Sequence, residues 1–149
     1  MAPVVSPRRR RTLPLALALL ALGGSLASCS SQRGDQLRLG AGIALTGNAG
    51  LLGQDARTGL DLARQQFAKQ APGLELQLED TGSDEAGATV AFRRLINAKP
   101  VAILGPSLSQ QGFAVMPMAD RAGIPVIGVS TTAEGIPQIG PFVARVASP

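Results

Sequence analysis

The sequence has 149 residues, with 14 basic and 10 acidic side chains, no His, Tyr or Trp, and a single Cys. This composition excludes the usual imidazole general base, cysteine-histidine pairs and tetrahedral zinc sites of thiolate or imidazole ligands, and leaves only sites built from carboxylates. We therefore expect a protein that is not an enzyme and that has no cofactor or metal.

The first 28 residues have the layout of a signal peptide. A basic stretch, Arg8 to Arg11, precedes the apolar run Leu13 to Leu22 and the small-residue region Gly23 to Ser28. The apolar run has ten residues, whereas a membrane-spanning helix needs about 20. Without the four arginines of this segment the chain carries ten basic and ten acidic residues, so we expect no nucleic-acid partner.

The only cysteine directly follows this segment. Cys29 comes after Leu26, Ala27 and Ser28, which resembles the lipobox of bacterial lipoproteins, whose cysteine is acylated and becomes the mature N-terminus. The resemblance implies an exported lipoprotein, anchored in the periplasm or on the outer face of the cell membrane. Residues 29–36 are polar and predict a tether. An ordinary signal peptide followed by a free thiol is the alternative.

The next segment predicts a strand, a turn and a helix. Leu37 to Leu45 becomes continuously small and apolar, as in a central strand, and Thr46 to Gly53 is a glycine-rich turn. A helix is predicted from Gln54 to the Pro72-Gly73 stop. Its apolar residues recur at helical spacing and predict one buried stripe: Ala56, Leu60, Ala63 and Phe67.

The following segment predicts an edge strand and a second helix. Leu74 to Glu79 alternates leucine with polar residues, which indicates a strand with one wet face. Ser83 is the expected cap of a helix over residues 85–98. A magnesium or calcium site at Asp80, Asp84 and Glu85 is an alternative, but acidic residues also suit a helix start.

Two short apolar runs, Val101 to Leu104 and Pro125 to Val129, predict strands buried on both faces. The helix between them contains Pro117, and Pro141 to Val146 predicts a further strand. The alternation indicates an α/β fold, a doubly wound parallel sheet with strand order 2-1-3-4. Three phenylalanines fall in helical patterns and are expected in the core: Phe67, Phe92 and Phe113.

Small polar residues follow both of these central strands. Ser107 and Ser109 follow the first, and Ser130, Thr131 and Thr132 follow the second. In open parallel sheets, ligands bind beyond the carboxyl ends of the strands, where the strand order reverses. The helix starting near Ser109 directs its positive end to the same place, which favours a carboxylate or another anion. The alternative is a helix cap and a simple turn.

Four motifs resemble, in order and spacing, the type I periplasmic binding proteins of branched-chain amino acid ABC transporters: GIALTGNAGLLGQDARTGLDLA, LEDTGSDEAGA, ILGPSLS and AGIPVIGVSTTAE. The resemblance runs from Leu37 to the end of the chain. It implies that residues 37–149 form the N-terminal part of the first of two ligand-binding lobes. The second lobe is absent, so we expect a fragment.

The resemblance also implies which residues bind the ligand. The serine that holds the ligand carboxylate corresponds to Ser109, the threonine that meets both ends of the ligand to Thr132, and the carbonyl that accepts from the ammonium to Ser130. Leu108 completes the expected set. Leu52 stands where leucine-binding members have an aromatic residue.

The implied function is that of a substrate-binding component of an ABC uptake system for branched-chain or other small amino acids. Its partners would be a small-molecule ligand, which is an amino acid or a related amide, an ABC permease in the full-length protein, and the membrane through the lipid anchor. One alternative is a lipoprotein that uses the same lobe as a cell-wall-synthase activator or a sensor domain. Others are a non-functional fragment and a flavodoxin-like enzyme or nucleotide binder.

Overall fold

The computed structural model describes residues 37–148. The predicted signal peptide, the tether and Cys29 lie outside these residues. Within them, no helix is both long and apolar enough to cross a membrane. The elements are β1 (Arg38–Ile43), α1 (Gly50–Phe67), β2 (Glu75–Asp80), α2 (Glu85–Asn97), β3 (Ala102–Leu104), α3 (Ser109–Arg121), β4 (Val126–Gly128), a 3-10 helix (Pro137–Ile139) and β5 (Val143–Arg145).

The five strands form one parallel sheet in the order β2-β1-β3-β4-β5. This confirms the predicted order 2-1-3-4, and the segment Pro141 to Val146 supplies β5 next to β4. In β1, Leu39 pairs with Leu76 on one side and with Ala102 on the other. The order reverses around β1 and β3, so the loops that follow these two strands meet at the carboxyl edge of the sheet.

The buried core lies on one face of the sheet, under α2 and α3. Phe92 and Leu95 of α2 and Met116 of α3 pack with Ile103 and Val126 of the central strands, and all five are at most 1% exposed. Alternate residues of a strand point to opposite faces, so these strand residues identify the covered face. One helix layer therefore supplies most of the apolar burial in the described residues.

The opposite face is only partly covered. Leu104 and Ile127 point to this side and are half-buried, so the prediction that the central strands are buried on both faces is wrong for the described residues. A groove of about 740 Å³ separates α1 from the sheet here. Leucine side chains from both sides line it, among them Leu39, Leu60, Leu76 and Leu104.

The predicted buried stripe of α1 is also wrong. Ala56 and Leu60 are half-buried, Ala63 is exposed, and Phe67 is 52% exposed. Only Gly50 and Gly53 are buried, because α1 meets the sheet at its N-terminal end and borders the groove along the rest of its length. The helix accordingly begins at Gly50, four residues before the predicted start.

Two further expectations are corrected by local contacts. The cap of α2 is Asp84 rather than Ser83, since the Asp84 carboxylate accepts a hydrogen bond from the Gly87 amide at 2.8 Å. Phe113 is 47% exposed, whereas Phe92 is fully buried as expected. Helical periodicity alone does not distinguish these two phenylalanines, because it does not say which face of a helix the sheet will cover.

We predict opposite effects of two alanine substitutions in α1. A Cβ at residue 53 would overlap the carbonyl oxygen of Ala44, whereas a Cβ at residue 59 would have open space around it. Gly53→Ala should lower the free energy of unfolding by about 1–3 kcal/mol through overpacking. Gly59→Ala should raise it by about 0.5–1 kcal/mol through helix propensity. Urea denaturation followed by circular dichroism measures both, and shifts of the same sign would contradict the fold described.

Candidate functional site

The loops after β1 and β3 are joined by a buried serine at the carboxyl edge. The Ala44 amide, just past β1, donates to Ser107 Oγ at 3.1 Å, and Ser107 is 1% exposed. Ser107 also accepts, through its carbonyl oxygen, a hydrogen bond of 2.8 Å from the Ser130 hydroxyl. The ends of β1, β3 and β4 are thus linked through one residue, at the edge where the sequence predicts a ligand.

Ser109 and Thr132, which the sequence predicts to bind a ligand together, lie side by side. Ser109 is the first residue of α3, and its Oγ accepts from the amides of Thr132 and Ala133, both at 3.2 Å. The residue that caps α3 is Leu108, and no side-chain hydrogen bond caps this helix. Ser109 is therefore not a helix cap, and its hydroxyl fixes the loop after β4.

This arrangement leaves the Ser109 hydroxyl proton free. A serine oxygen has two lone pairs and one O–H group, and here two main-chain amides occupy the lone pairs. No hydrogen bond within residues 37–148 uses the Ser109 proton. The remaining capacity of this side chain is to donate to an acceptor such as a carboxylate.

The three hydroxyl residues after β4 have different surroundings. Ser130 donates to the Ser107 carbonyl, as described above. Thr131 is completely buried, and its hydroxyl has no hydrogen-bond partner among the described residues. Thr132 is exposed, and its hydroxyl makes no hydrogen bond within residues 37–148. Of the three side chains, Thr132 is the one available to a ligand.

Arg145, which the sequence reasoning missed, completes this arrangement. It is the last residue of β5, and its Nη1 donates to the carbonyls of Thr132 at 2.9 Å and Ala133 at 2.8 Å. The sequence offered one signal for this residue, because Arg145 is the single cation in an otherwise apolar predicted strand. Together, Ser109 and Arg145 bind the amides and the carbonyls of the same two residues.

The two leucines of the predicted ligand set have different positions. Leu108 is half-buried and lines a polar cavity of about 520 Å³, next to Asn48, Ser83 and Gln110, where the chain enters α1, α2 and α3. Leu52 lies in the first turn of α1, is 41% exposed, and does not line this cavity.

Asp80 organises the loop after β1. Its carboxylate accepts from the amides of Leu45, Thr46 and Gly82 and, at 2.7 Å, from the Thr46 hydroxyl. Desolvation raises the pKa of Asp80, but these hydrogen bonds to the charged form outweigh it, first that of the Thr46 hydroxyl. The pKa therefore lies below its ordinary value of 3.8.

Ser83 and Gln111 complete the support of these loops. Ser83 Oγ accepts from the Ala49 amide at 3.0 Å and donates to the Thr46 carbonyl at 2.7 Å. Gln111, 1% exposed, donates from α3 to the carbonyls of Thr81, Gly82 and Asp84 and accepts from the Thr81 hydroxyl. The sequence reasoning missed Gln111, although it stands one helical turn before the buried Val115.

The acidic residues of the metal alternative have main-chain partners in the structure. Asp80 and Asp84 use carboxylate oxygens to accept hydrogen bonds from main-chain amides. In the part of the chain that the structure describes, no group of three or more His, Cys, Asp or Glu side chains is placed to hold a metal ion.

Comparison with protein families matches residues 36–147 to the model described as "Periplasmic binding protein". This match covers three quarters of the chain. Comparison with curated proteins gave no match.

Several solved structures share the fold. A leucine-binding protein from Thermotoga maritima is 26% identical, with a TM-score of 0.71, and the match covers 75% of this chain and 33% of that one. A branched-chain amino acid transporter binding protein from Streptococcus pneumoniae, in complex with isoleucine, is 24% identical with a TM-score of 0.65 and coverages of 69% and 31%. A solute-binding protein from Rhodopseudomonas palustris, in complex with 3,4-dihydroxybenzoic acid, is 20% identical with a TM-score of 0.68 and coverages of 73% and 31%. The chain spans about a third of the length of these proteins.

We predict that Asp80→Asn removes an acid-sensitive part of the stability. Because the folded-state pKa is below the unfolded value, the contribution of Asp80 is present above pH 4 or so and is lost as the pH falls through the folded-state pKa. Asp80→Asn should lower the free energy of unfolding at pH 7 and make it less dependent on pH on the acid side. Urea denaturation between pH 7 and pH 3 measures this.

The matched control is Asp55→Asn. Asp55 is exposed on α1 and makes no hydrogen bond or ion pair within residues 37–148. If the two variants gave the same stability-pH profile, the hydrogen bonds to Asp80 would not be the cause.

Proposed function

The chain belongs to the periplasmic binding protein family, and from this we propose that it is the ligand-receiving part of an ABC-transporter substrate-binding protein that holds a small carboxylate-bearing ligand. The favoured class is branched-chain and other small amino acids. Binding, without any catalysed reaction, is the activity. The observation that carries the proposal is the free Ser109 proton beside the exposed Thr132 hydroxyl.

The carboxylate side of the proposed site consists of donors. The Ser109 hydroxyl has only a proton to offer, and a carboxylate only accepts hydrogen bonds. The N-terminal end of α3, which has no side-chain cap and no acidic residue in its first turn, adds a positive partial charge. Isoleucine and 3,4-dihydroxybenzoic acid, bound by two of the structural neighbours, have a carboxylate in common.

The ammonium side of the proposed site is the main chain after β4. The Ser130 side chain is occupied by its hydrogen bond to Ser107, but the Ser130 carbonyl accepts no hydrogen bond from residues 37–148. A carbonyl oxygen can only accept, so it suits an ammonium group. This pairing favours an amino acid over a simple carboxylic acid.

Leu108 and Leu52 are proposed to contact the ligand side chain. Leu108 lines the polar cavity, and Leu52 extends from the first turn of α1. An aliphatic Leu52 in place of an aromatic residue would change the shape of the surface that contacts the ligand side chain. A panel of amino acids is therefore needed to identify the side chain of the ligand.

We predict that Ser109→Ala and Thr132→Ala each weaken ligand binding about tenfold to a hundredfold. A hydrogen bond to a charged group contributes about 1.5–3 kcal/mol, and 1.4 kcal/mol corresponds to a factor of ten. The measurement is a titration of the 149-residue chain, carrying Cys29→Ser to prevent acylation, with L-leucine, L-isoleucine, L-alanine and 3,4-dihydroxybenzoic acid, followed by ¹H-¹⁵N NMR. NMR also detects the millimolar affinity that we expect when one lobe acts alone.

The control for this titration is Thr89→Ala. Its hydroxyl donates to the Glu85 carbonyl within α2, so the substitution removes a threonine hydroxyl without touching the proposed site. Unchanged affinity in both site variants would contradict the assignment of Ser109 and Thr132. Failure of the parent chain to bind any of the four ligands would contradict the proposed function itself.

We further propose that Cys29 is acylated and anchors the protein on the outer side of the membrane, where an ABC permease receives the ligand. The residues Leu26, Ala27 and Ser28 before it support this. Cys29→Ser should move the chain from the membrane fraction to the soluble exported fraction, as followed by immunoblotting, and should abolish incorporation of labelled palmitate. Unchanged incorporation would exclude Cys29 as the lipid-bearing residue.

A further inference from the structure

We propose that Arg145 is a positioning residue for the ligand site, which polarises the Ser109 hydroxyl through the peptide group between Thr132 and Ala133. The inference rests on the proposed function, because it concerns the same site. It adds a residue from β5, the strand at the far edge of the sheet from β2.

The central observation is a continuous hydrogen-bonded path through one peptide group. Arg145 Nη1 donates at 2.9 Å to the Thr132 carbonyl oxygen. The amide that shares this peptide bond belongs to Ala133, and it donates at 3.2 Å to Ser109 Oγ. The path thus leads from a guanidinium, through one amide plane, to the Ser109 hydroxyl that we propose binds the ligand.

The direction of this path strengthens the Ser109 hydroxyl as a donor. A cation at the carbonyl oxygen draws electron density from the amide and makes its N–H a stronger donor. A hydroxyl oxygen that accepts such a bond in turn donates its own proton more strongly, since hydrogen bonds in a chain polarise one another, by about 10–30% per bond. A ligand carboxylate would be the last acceptor of this chain.

Arg145 also holds the loop in place. The second hydrogen bond from Nη1, to the Ala133 carbonyl at 2.8 Å, means that both carbonyls and both amides of residues 132 and 133 are bound. The backbone of Arg145 is itself fixed, because it pairs with Gly128 in the sheet and the Val146 amide donates to the Gly128 carbonyl. The loop after β4 is thereby attached to β5 as well as to the first residue of α3.

The charge of Arg145 is not neutralised locally. Within residues 37–148 it forms no ion pair, whereas Arg38 and Arg94 each pair with a glutamate. Nη1 donates to two neutral carbonyls, so the positive charge remains to act on the site. An anionic group on the ligand is the complement of this charge.

The test is a double-mutant cycle between Arg145→Met and Ser109→Ala, in the 149-residue chain carrying Cys29→Ser. The dissociation constant for L-leucine is measured by NMR titration, or for whichever of the four ligands the parent chain binds. Arg145→Met alone should weaken binding about fivefold to tenfold. In the Ser109→Ala background, Arg145→Met should raise the dissociation constant less than twofold, because the hydroxyl through which Arg145 acts is gone.

Three further measurements separate positioning from a general loss of stability. The Ala133 amide proton should shift upfield in Arg145→Met without ligand, since its hydrogen bond weakens. Arg145→Lys retains the charge and should recover part of the affinity. If Arg145→Met does not fold, Arg145→Gln, which also removes the charge, replaces it in the cycle. Arg94→Met, which removes a surface arginine paired with Glu79 at 3.3 Å, should bind the ligand like the parent chain.

The outcomes are distinguishable. If the parent chain binds and Ser109→Ala weakens it, but Arg145→Met binds like the parent, the inference about Arg145 is overturned while the proposed function stands. Equal losses from Arg145→Met in both backgrounds would also overturn it, because they indicate a contribution independent of Ser109. If the parent chain binds none of the ligands, the proposed function fails first.

Discussion

The site depends on a constraint common to parallel sheets: strands that end at the same edge leave main-chain amides and carbonyls there that the sheet no longer binds. Buried groups of this kind need partners. In this chain, hydroxyl and carboxylate side chains supply them: Ser107 for the amide of Ala44, Ser109 for those of Thr132 and Ala133, and Asp80 for the loop after β1. The same residues that complete the fold therefore fix the geometry of the edge.

This constraint divides the hydroxyl groups by function. Ser107 is buried and uses its oxygen and its carbonyl to join three strand ends, so it has a structural role. Ser109 has a structural role because its lone pairs accept hydrogen bonds from two amides, whereas its hydroxyl proton remains available to donate. The main chain of Thr132 is fixed by hydrogen bonds, and its whole side chain remains available for a ligand. At the proposed site, these two residues would bind a ligand without breaking any contact that stabilises the loops, which favours a site formed before the ligand arrives.

The sequence predicted those features that depend on local chemistry and on strand topology. The sheet order and the meeting of Ser109 with Thr132 follow from parallel strands that share one carboxyl edge, and both are found. The burial of α1 was predicted wrongly, because periodicity locates an apolar stripe but does not say whether the sheet covers it. Gln111 and Arg145 were missed for a related reason: the groups to which they donate are main-chain carbonyls, which have no signature in the sequence.

The distribution of charge around the edge argues for a ligand of defined orientation. The guanidinium of Arg145, the Ser109 proton and the uncapped end of α3 all favour negative charge. The Ser130 carbonyl, which follows β4 three residues before Ala133, favours positive charge.

A ligand with one charge at each end, such as an amino acid, fits this distribution of charge in one direction only, because reversing the ligand would place a carboxylate against a carbonyl oxygen. A ligand with a carboxylate alone would satisfy the donors and leave the carbonyl to water. In the proposed site, discrimination between these two classes would depend on the main chain after β4, and Leu108 and Leu52 would contact only the part of the ligand that is neither carboxylate nor ammonium.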